Sequence, residues 1–475
     1  LAFASHRCLH RICKCFASYL PYKNKSITIG ISIESINFVV VITKNPHLNM
    51  KINEISSETA AFIAQNLKSD VQTLALKGAK TKGVDMTFAL SQIKGHQTSC
   101  TKLPLWASTE GIVFPVTLSL EQCSSQQTAE YKAQLLNRLS KGLDVEKMPI
   151  SSQKEGEKAT KTLSLTDLTG GFGVDFTLMA KQVSSSCYVE QQQVLCDIAE
   201  NNLPLLGVRN FKVVCCDGEA YLKEMNGTSF IFLDPARRDA SGAKTVEIEQ
   251  CTPNVLALKE TLLQKCSVAI VKLSPMLDWH KALKSLNEGA PIVSEIHIVS
   301  VQNECKELLF VLQKNAPQQP QIYCVNDQQV MSYSPTDNEV ALQTISTEIE
   351  EHSEMLQNQY LYEPNASQMK AGCFAFLSQQ YGVKALSANS HLFVSPHFIE
   401  NWHGRKFKIQ AVSSLNKKEL KTNFAAFTHA NVAVRNFPLS ANELRKRLKL
   451  KEGGSFLFGT TLGCNTHILL MCSKE

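Results

Sequence analysis

Apolar positions follow two different periods along the chain. In residues 50–161 they recur at helical spacing, most clearly in Asp85–Ile93 and Thr128–Leu139, so this region is predicted to be mostly helical. From residue 162 to residue 313, short apolar runs alternate with helical windows. Such alternation is typical of a mainly parallel sheet with helices on both faces.

Seven strands are predicted in residues 162–313. They are Leu163–Leu168, Cys187–Glu190, Phe211–Cys216, Phe230–Asp234, Ser267–Leu273, Val293–Val301 and Glu307–Leu312. The last two are separated only by Gln302–Lys306, which is too short for a crossover. We therefore expect these two strands to pair antiparallel.

The remaining chain is predicted to form a connecting segment and a second domain. Residues 314–359 contain a Gln/Pro-rich turn and a helical window from Glu339 to Gln357. Residues 360–475 are predicted to be a small α+β domain. Its strands are Phe407–Val412, Phe456–Thr460 and Ile468–Met471, and its clearest helix has a capping box at Ser440 and Glu443 and a stop at Gly453-Gly454.

Charge is distributed unevenly over the 475 residues. The net charge of +6 combines +5 in residues 1–49, −8 in residues 50–360 and +9 in residues 361–475. A basic C-terminal domain attracts polyanions such as nucleic acid, although a solvated Lys/Arg-rich surface has the same composition.

Cysteine usage and hydropathy indicate a cytoplasmic protein. The 16 cysteines include no Cys-x-x-Cys pair and no zinc-type spacing, so we expect buried reduced thiols, among them Cys187, Cys215 and Cys216, and no metal. No apolar run approaches the length of a membrane helix, and no membrane partner is expected.

The first 49 residues differ from the rest. They carry six basic residues and one acidic residue, and they lack the apolar segment of a signal peptide. Met50 is the first methionine, and clear helical patterning begins just after it. We interpret Met50 as the native start and residues 1–49 as a non-native upstream extension; the alternative is a real, poorly structured extension.

A glycine-rich turn follows the first predicted strand. Residues 166–175 read Thr-Asp-Leu-Thr-Gly-Gly-Phe-Gly-Val-Asp, and they connect a strand to a helix. Glycines let a backbone approach a ligand closely. Asp167, just before them, suits an ammonium group and would repel a pyrophosphate.

Two further acids end the next two strands. Glu190 is placed to accept hydrogen bonds from ribose hydroxyls, and Asp217-Gly218 offers a carboxylate for an adenine amine. With Asp167 they describe a nucleoside that carries an amino acid, S-adenosylmethionine. Singly, Asp217 is equally well explained as a helix N-cap and Glu190 as a surface acid.

This set resembles the S-adenosylmethionine-dependent methyltransferases with a Rossmann-like seven-stranded core. The resemblance covers residues 162–313. It implies that the methionine portion is held at positions Asp167, Thr169, Gly170, Gly171 and Gly173, the ribose at Glu190, and the adenine at Asp217 and Gly218.

The fourth strand ends in Asp234-Pro235-Ala236-Arg237, which resembles the Asp/Asn-Pro-Pro-aromatic motif of amino-group methyltransferases. The resemblance implies catalytic roles for Asp234 and Pro235, and Arg237 could stack on a base or hold a phosphate. Ala236 and Arg237 depart from the motif, which leaves nitrogen methylation and the choice of target open. No cysteine lies in this motif or in the fifth strand's Lys272-Leu273-Ser274-Pro275, which disfavours covalent pyrimidine C5 chemistry.

The whole chain from residue 50 resembles bacterial methyltransferase-like proteins of Bacteroidetes that carry a ferredoxin-like insert and a C-terminal THUMP-like domain. The tail motifs behind this resemblance are Tyr362–Ala366 and Val434–Leu439. The last part of residues 162–313 is where we expect the ferredoxin-like unit, and residues 360–475 the THUMP-like domain. THUMP domains proper bind RNA, so the resemblance implies an RNA partner.

The expected function is therefore methylation of RNA, ribosomal or transfer RNA, at a base nitrogen. Candidate RNA contacts are Lys272, Arg405, Lys421 and Arg435, although Lys272 also fits a lysine that reaches water at a strand end. Two alternatives stay open: a catalytically inactive protein that keeps the fold and binds RNA, and a nicotinamide-dependent dehydrogenase, against which Asp167 argues.

Overall fold

The computed structural model describes residues 28–33, 36–41, 55–77, 82–143, 162–236, 247–344, 353–463 and 466–475. Residues 1–55 and 56–475 are two separate units. The described part of the first unit is an antiparallel hairpin of β1 (Thr28–Ile33) and β2 (Ile36–Val41). Met50, proposed above as the native start, lies outside the described residues.

Six helices precede the large sheet in the described part of the second unit. They are α1 (Ser57–Asn66), α2 (Val71–Lys77), α3 (Met86–Lys102), α4 (Pro104–Ser108), α5 (Thr117–Gln122) and α6 (Gln126–Ser140). The helical prediction is confirmed, and Trp106 is buried on α4. Nowhere in the described residues does a helix have the length and hydropathy needed to cross a bilayer.

The central sheet has nine strands in the order β11-β10-β8-β9-β7-β6-β3-β4-β5. Their bounds are β3 (Ser164–Asp167), β4 (Ser185–Glu190), β5 (Phe211–Cys215), β6 (Thr228–Leu233), β7 (Cys266–Leu273), β8 (Val293–Val301), β9 (Glu304–Leu312), β10 (Gln321–Asn326) and β11 (Gln329–Tyr333). The strands β3 to β7 run parallel, and β8 and β9 pair antiparallel as expected.

Seven strands, β3 to β9, lie in residues 162–313 as predicted, and the sheet has two strands more. The strands β10 and β11 come from the segment interpreted as a connection, and β10 pairs in parallel with β8. Its side chains at Ile322 and Cys324 are buried in the main core, so they belong to the same sheet.

Helices α7 to α11 connect or cover these strands. Their bounds are α7 (Val174–Ala180), α8 (Gln193–Leu205), α9 (Gly218–Glu224), α10 (Val255–Lys265) and α11 (Trp279–Leu286). The strand β5 lies at the edge of the sheet, and therefore Cys215 is exposed and Cys216, just beyond it, only partly buried, against the expectation of buried thiols.

The C-terminal residues form a second, seven-stranded sheet in the order β13-β14-β12-β15-β18-β17-β16. Its strands are β12 (Tyr360–Pro364), β13 (Lys384–Ala385), β14 (Phe393–Ser395), β15 (Gly404–Ser413), β16 (His429–Arg435), β17 (Lys451–Thr461) and β18 (His467–Lys474). The helix α12 (Pro335–Thr344) precedes this sheet. The helices between its strands are α13 (Ala366–Ala371), α14 (Phe374–Tyr381), α15 (Lys417–Asn423) and α16 (Ala441–Leu448).

Two details of this second sheet bear on the sequence predictions. The capping box of Ser440 and Glu443 is present at the start of α16. That helix ends at Leu448, however, and Gly453-Gly454, expected to end it, lie inside β17 beside a register shift against β16.

The two sheets share one hydrophobic core. Tyr362 and Trp402 of the C-terminal region are buried in the same cluster as Ile296 of β8 and Ile322 of β10. Lys370 on α13 donates a hydrogen bond to the backbone oxygen of Leu277 at 2.8 Å. The C-terminal region is therefore fastened to the edge of the large sheet by burial as well as by the chain.

Candidate functional site

Four neighbouring strands of the large sheet end together and bring charged side chains to one edge. The strands β3, β4, β6 and β7 are parallel, so their carboxyl ends point the same way. Asp167 ends β3, Glu190 ends β4, Asp234 follows β6, and Lys272 lies one residue before the end of β7. In parallel α/β sheets this edge is the usual place for ligands.

Asp167 is a buried carboxyl that forms no ion pair with a cation in the described part of the chain. Only 1% of the residue is exposed, and its Oδ1 accepts hydrogen bonds from the Thr169 backbone N–H at 2.9 Å and the Thr169 hydroxyl at 3.4 Å. Among the described residues no Lys, Arg or His forms an ion pair with it. Burial, together with the nearby charges of Asp175 and Asp234, raises the pKa of Asp167 to about 8. Such a group is stabilised in its charged form by a cation supplied from outside.

The glycine-rich turn owes its shape to two glycines with positive φ. Gly171 has φ +56°, and Gly173 has φ +77° and begins α7. At Gly170 close packing requires glycine instead, because a Cβ there would lie 2.2 Å from the Tyr188 ring. The Tyr188 hydroxyl in turn donates to the backbone oxygen of Gly171 at 2.5 Å, so the ring supports the turn from below.

Glu190 holds the same turn. Its Oε2 accepts from the Gly171 backbone N–H and its Oε1 from the Gln192 backbone N–H, both at 2.9 Å. The residue is 8% exposed, so the alternative of a surface acid is wrong. Each carboxylate oxygen has a second lone pair, and a ribose hydroxyl could share it.

Asp217 is the N-cap of α9, as one interpretation of the sequence proposed. Its Oδ1 accepts from the Ala220 backbone N–H at 3.0 Å, and the residue is exposed. Gly218 lies against the end of β3, where a Cβ would be 2.3 Å from the backbone oxygen of Leu168. The cap accounts for Asp217 without a ligand, and its contact with adenine stays a prediction.

Asp234 is joined to the glycine-rich turn by Thr169. The Asp234 backbone N–H donates to the Thr169 hydroxyl oxygen at 2.7 Å. Pro235 is buried, and Ala236 forms a β-bridge with Thr252. Arg237, the third predicted catalytic residue, lies outside the described residues.

Lys272 does not reach into solvent for a phosphate. Its Nζ lies 2.5 Å from Asp234 Oδ2, 3.1 Å from Ser124 Oγ and 3.6 Å from Asp175 Oδ2, and its side chain is 13% exposed. The alternative of a lysine reaching water is equally wrong. The cause is the arrangement of acids around it, which satisfies the ammonium inside the protein.

Lys272 belongs to a set of buried polar and charged residues that the sequence analysis missed. This buried charge cluster consists of Ser124, Lys132, Asp175, Lys272 and Glu307. Lys132 of α6 is fully buried, 3.1 Å from Asp175 Oδ1 and 2.5 Å from Glu307 Oε1. Ser124 donates to Asp175 Oδ2 at 2.7 Å.

One signal in the sequence points to this cluster. Lys132 stands on the apolar face of α6, between Ala129, Leu135 and Leu136, which are all buried. A lysine on the core side of an amphipathic helix requires a buried acid. The sequence does not say which acid, because Asp175 and Glu307 meet Lys132 only in the folded chain.

The predicted RNA contacts in the C-terminal region separate into two kinds. Arg405 and Arg435 both pair with the buried Glu363, Arg435 at 2.5 Å, and each keeps 36% of its side chain exposed. Lys421 lies on α15 and is exposed. Lys408 lies over the ring of Tyr360, 3.9 Å from its centroid. The two arginines therefore stabilise the fold through Glu363, and the exposed Lys421 is more accessible to a ligand than they are.

Two family models match the C-terminal region. Residues 404–474 match the THUMP domain-like family, and residues 360–402 match a ferredoxin-like domain. The chain ends in a THUMP-like domain. The ferredoxin-like domain directly precedes it, after the large sheet, whereas we had expected it in the last part of residues 162–313.

Solved structures share the rest of the fold as well. A protein of Porphyromonas gingivalis W83, described as a putative methyltransferase, is 26% identical with a TM-score of 0.72, over 89% of this chain and 99% of its own. This likeness spans the large sheet and the THUMP-like domain together. The chain therefore has a methyltransferase-like α/β fold, as predicted.

More distant likenesses are partial. A Pyrococcus horikoshii protein described as a putative RNA methyltransferase is 14% identical over 46% of this chain and 98% of its own, with a TM-score of 0.31. A human methyltransferase 10 domain containing protein is 12% identical over 46% of this chain and 97% of its own, with a TM-score of 0.33. No curated protein matches the chain in sequence.

Proposed function

We propose that this protein is an S-adenosylmethionine-dependent methyltransferase that acts on RNA at an amino nitrogen. The observation that carries the proposal is Asp167, a buried carboxylate with no cationic partner among the described residues, beside a glycine-rich turn. The ammonium of the cofactor's methionine portion would supply the missing charge. Glu190 and Asp217 would take the ribose and the adenine.

Asp234 is proposed to orient the acceptor. When bound, S-adenosylmethionine supplies an electrophilic methyl group on a sulfonium. The acceptor nitrogen donates an N–H to the Asp234 carboxylate, which directs its lone pair to the methyl carbon. The Asp234 carboxylate would also accept the proton that the acceptor nitrogen loses when it is methylated.

RNA is proposed as the substrate because the THUMP-like domain is basic and because the first likeness above joins that domain to a methyltransferase-like sheet. Transfer of labelled methyl groups from the cofactor to total RNA, followed by nucleoside analysis, tests the function. We expect label in a methylated amino nucleoside.

One observation favours a second candidate, an inactive RNA-binding protein. Lys272 already occupies Asp234 Oδ2 at 2.5 Å, and Ala236 stands where the related motif has a second proline. Cofactor binding without transfer to any RNA would support this candidate. Calorimetry that shows binding of a nicotinamide dinucleotide and no binding of S-adenosylmethionine would overturn both candidate functions.

A further inference from the structure

The buried charge cluster lies directly behind Asp234, and four elements and one loop build it. Ser124 lies in the loop before α6, Lys132 lies on α6, Asp175 lies in the first turn of α7, Lys272 lies on β7 and Glu307 on β9. Ser124 and Lys132 come from the helical region before the sheet. A methyltransferase-like sheet alone would therefore leave this cluster incomplete.

The cluster has as many positive charges as negative ones, and Asp234 lies outside this balance. Two lysines face the two buried carboxylates of Asp175 and Glu307, whose side chains are 9% and 3% exposed. Asp234, with 38% of its side chain exposed, adds one further negative charge on the ligand side. The ammonium of Lys272 is shared between Asp234 and Asp175, so it is the only part of the cluster that touches both the interior and the proposed acceptor site.

Lys272 is held in place more firmly than a strand-end lysine would be. Besides its two carboxylate partners, its Nζ donates to Ser124 Oγ, which itself donates to Asp175. Burial disfavours the ammonium, yet the charges of Asp234, Asp175 and Glu307 together hold the pKa of Lys272 above its usual range. The cation is therefore permanent across physiological pH.

We propose that Lys272 is a positioning residue for Asp234, and that Ser124 and Lys132, from the helical region before the sheet, complete the buried charge cluster that holds Lys272. This rests on the proposed function. Lys272 fixes the Asp234 carboxylate by one oxygen, which leaves the other for the acceptor N–H. It also offsets the negative charge of the Asp234 carboxylate, whose backbone N–H joins the residue to the glycine-rich turn at Thr169.

Binding of S-adenosylmethionine and of S-adenosylhomocysteine measures this charge balance without any acceptor. The two ligands differ by the sulfonium charge and its methyl group, so the ratio of their affinities reports the field at the sulfur. Lys272→Met should raise the preference for the sulfonium form roughly three- to tenfold, and Asp234→Asn should lower it, because each removes one of two opposite charges. The double variant should return close to the parent ratio.

Methyl transfer to total RNA measures the positioning. We expect Lys272→Met to lower kcat at least about tenfold with little change in KM for the cofactor, as loss of one transition-state interaction would. Lys272→Arg, which keeps a cation and can still reach Asp234, should restore part of kcat. In the Asp234→Asn background, Lys272→Met should lower kcat only slightly further.

Lys281→Met is the matched control, because Lys281 forms an exposed ion pair with Glu247 and is not part of the buried charge cluster. It should leave both readouts unchanged. An unchanged affinity ratio and unchanged kcat in Lys272→Met would overturn the positioning role while leaving the methyltransferase proposal intact. Failure of the parent protein to bind either ligand would instead remove the proposed function itself.

Discussion

At the scale of single residues, Asp167 is a group in an unfavourable state. A carboxyl that is 1% exposed and has Thr169 as its only hydrogen-bond donor among the described residues costs free energy when it ionises. Evolution of a stable fold alone would favour an amide or an apolar side chain here. The simplest physical account is that the charged form is used when a cationic ligand is bound.

This account predicts a pH dependence of cofactor binding. Because the pKa of Asp167 is about 8, the free protein carries it largely protonated at pH 6 to 7, and binding of an ammonium should release up to one proton. Affinity should therefore rise between pH 6 and pH 8. Calorimetry in buffers of different ionisation enthalpy measures the released protons, and Asp167→Asn should bind weakly and release none.

The raised pKa of Asp167 also makes the free energy of unfolding depend on pH. The folded-state pKa of Asp167 lies above its unfolded value of 3.8, so folding is disfavoured progressively as pH rises from about 4 to 8. A free energy of unfolding that Asp167→Asn raises at pH 8 but not at pH 4 would agree. An equal effect at both pH values would contradict the burial argument.

Lys132 permits a prediction on stability alone. Lys132→Met leaves Asp175 and Glu307 buried together without the cation between them, and it should lower the free energy of unfolding by about 3–5 kcal/mol. Denaturant titration measures this at pH 7. The exposed Lys281→Met should change it by less than about 1 kcal/mol, and a similarly small loss for Lys132 would show that the buried ion pairs contribute little.

Residues of the candidate site could be predicted where they stand at a strand end. Asp167, Glu190 and Asp234 were placed correctly because carboxyl ends of parallel strands meet. Lys132, Asp175 and Glu307 could not be, since their partnership depends on how α6, α7 and β9 pack. Arg405 and Arg435 were predicted to face RNA, because nothing local in the sequence reveals that both pair with Glu363.

At the scale of elements, the turn between β3 and α7 depends on what lies beneath it. The Tyr188 ring on β4 is fully buried, packs edge-on against Phe176 and donates to the Gly171 carbonyl. The turn is thus fixed from the adjacent strand as well as from its own glycines. Its shape should be sensitive to any atom added between the two.

Gly170→Ala tests this support. The new Cβ would lie 2.2 Å from the Tyr188 ring, so ring or turn must move, which should cost about 1–3 kcal/mol of stability and weaken cofactor binding. Thermal unfolding and calorimetry measure the two effects. Gly142→Ala is the control, because its new Cβ would lie 3.6 Å from the backbone oxygen of Leu139, an ordinary contact, and it should change neither.

The order of the strands and helices could be predicted more completely than the number of strands in the large sheet. Alternating strands and helices indicated the parallel part correctly, and the short link predicted the antiparallel pair of β8 and β9. The hairpin of β10 and β11 was missed because its surroundings, residues 314–320, are rich in Gln and Pro and resemble a linker. Its membership in the sheet is decided by pairing with β8, which no local pattern encodes.

At the scale of the whole molecule, the ferredoxin-like domain and the large sheet depend on one another. Tyr362 and Trp402 are buried in the core that β8 and β10 also line. A chain that ends after Gln359 should therefore expose apolar surface and fail to fold cooperatively. Circular dichroism during heating checks this, and a sharp transition in the truncated chain would contradict the shared core.

The basic surface of the THUMP-like domain makes a prediction for RNA binding. Lys418 and Lys421 are exposed on α15, so Lys418→Met with Lys421→Met should weaken binding of a labelled single-stranded RNA. The slope of log affinity against log salt should become shallower by about 1.4, the release of counterions from two phosphates. Fluorescence anisotropy measures both, and Lys281→Met should alter neither.

The burial of Trp402 and Tyr362 against the large sheet has a consequence for how a nucleic acid would reach Asp234. Their rings fasten the two sheets at a fixed separation, so a polynucleotide gripped by one cannot be carried to the other by a swinging arm. The flexibility must come from the polynucleotide itself. A target nucleotide in an unpaired loop, or one that turns out of its stack, meets that demand, whereas a rigid duplex does not.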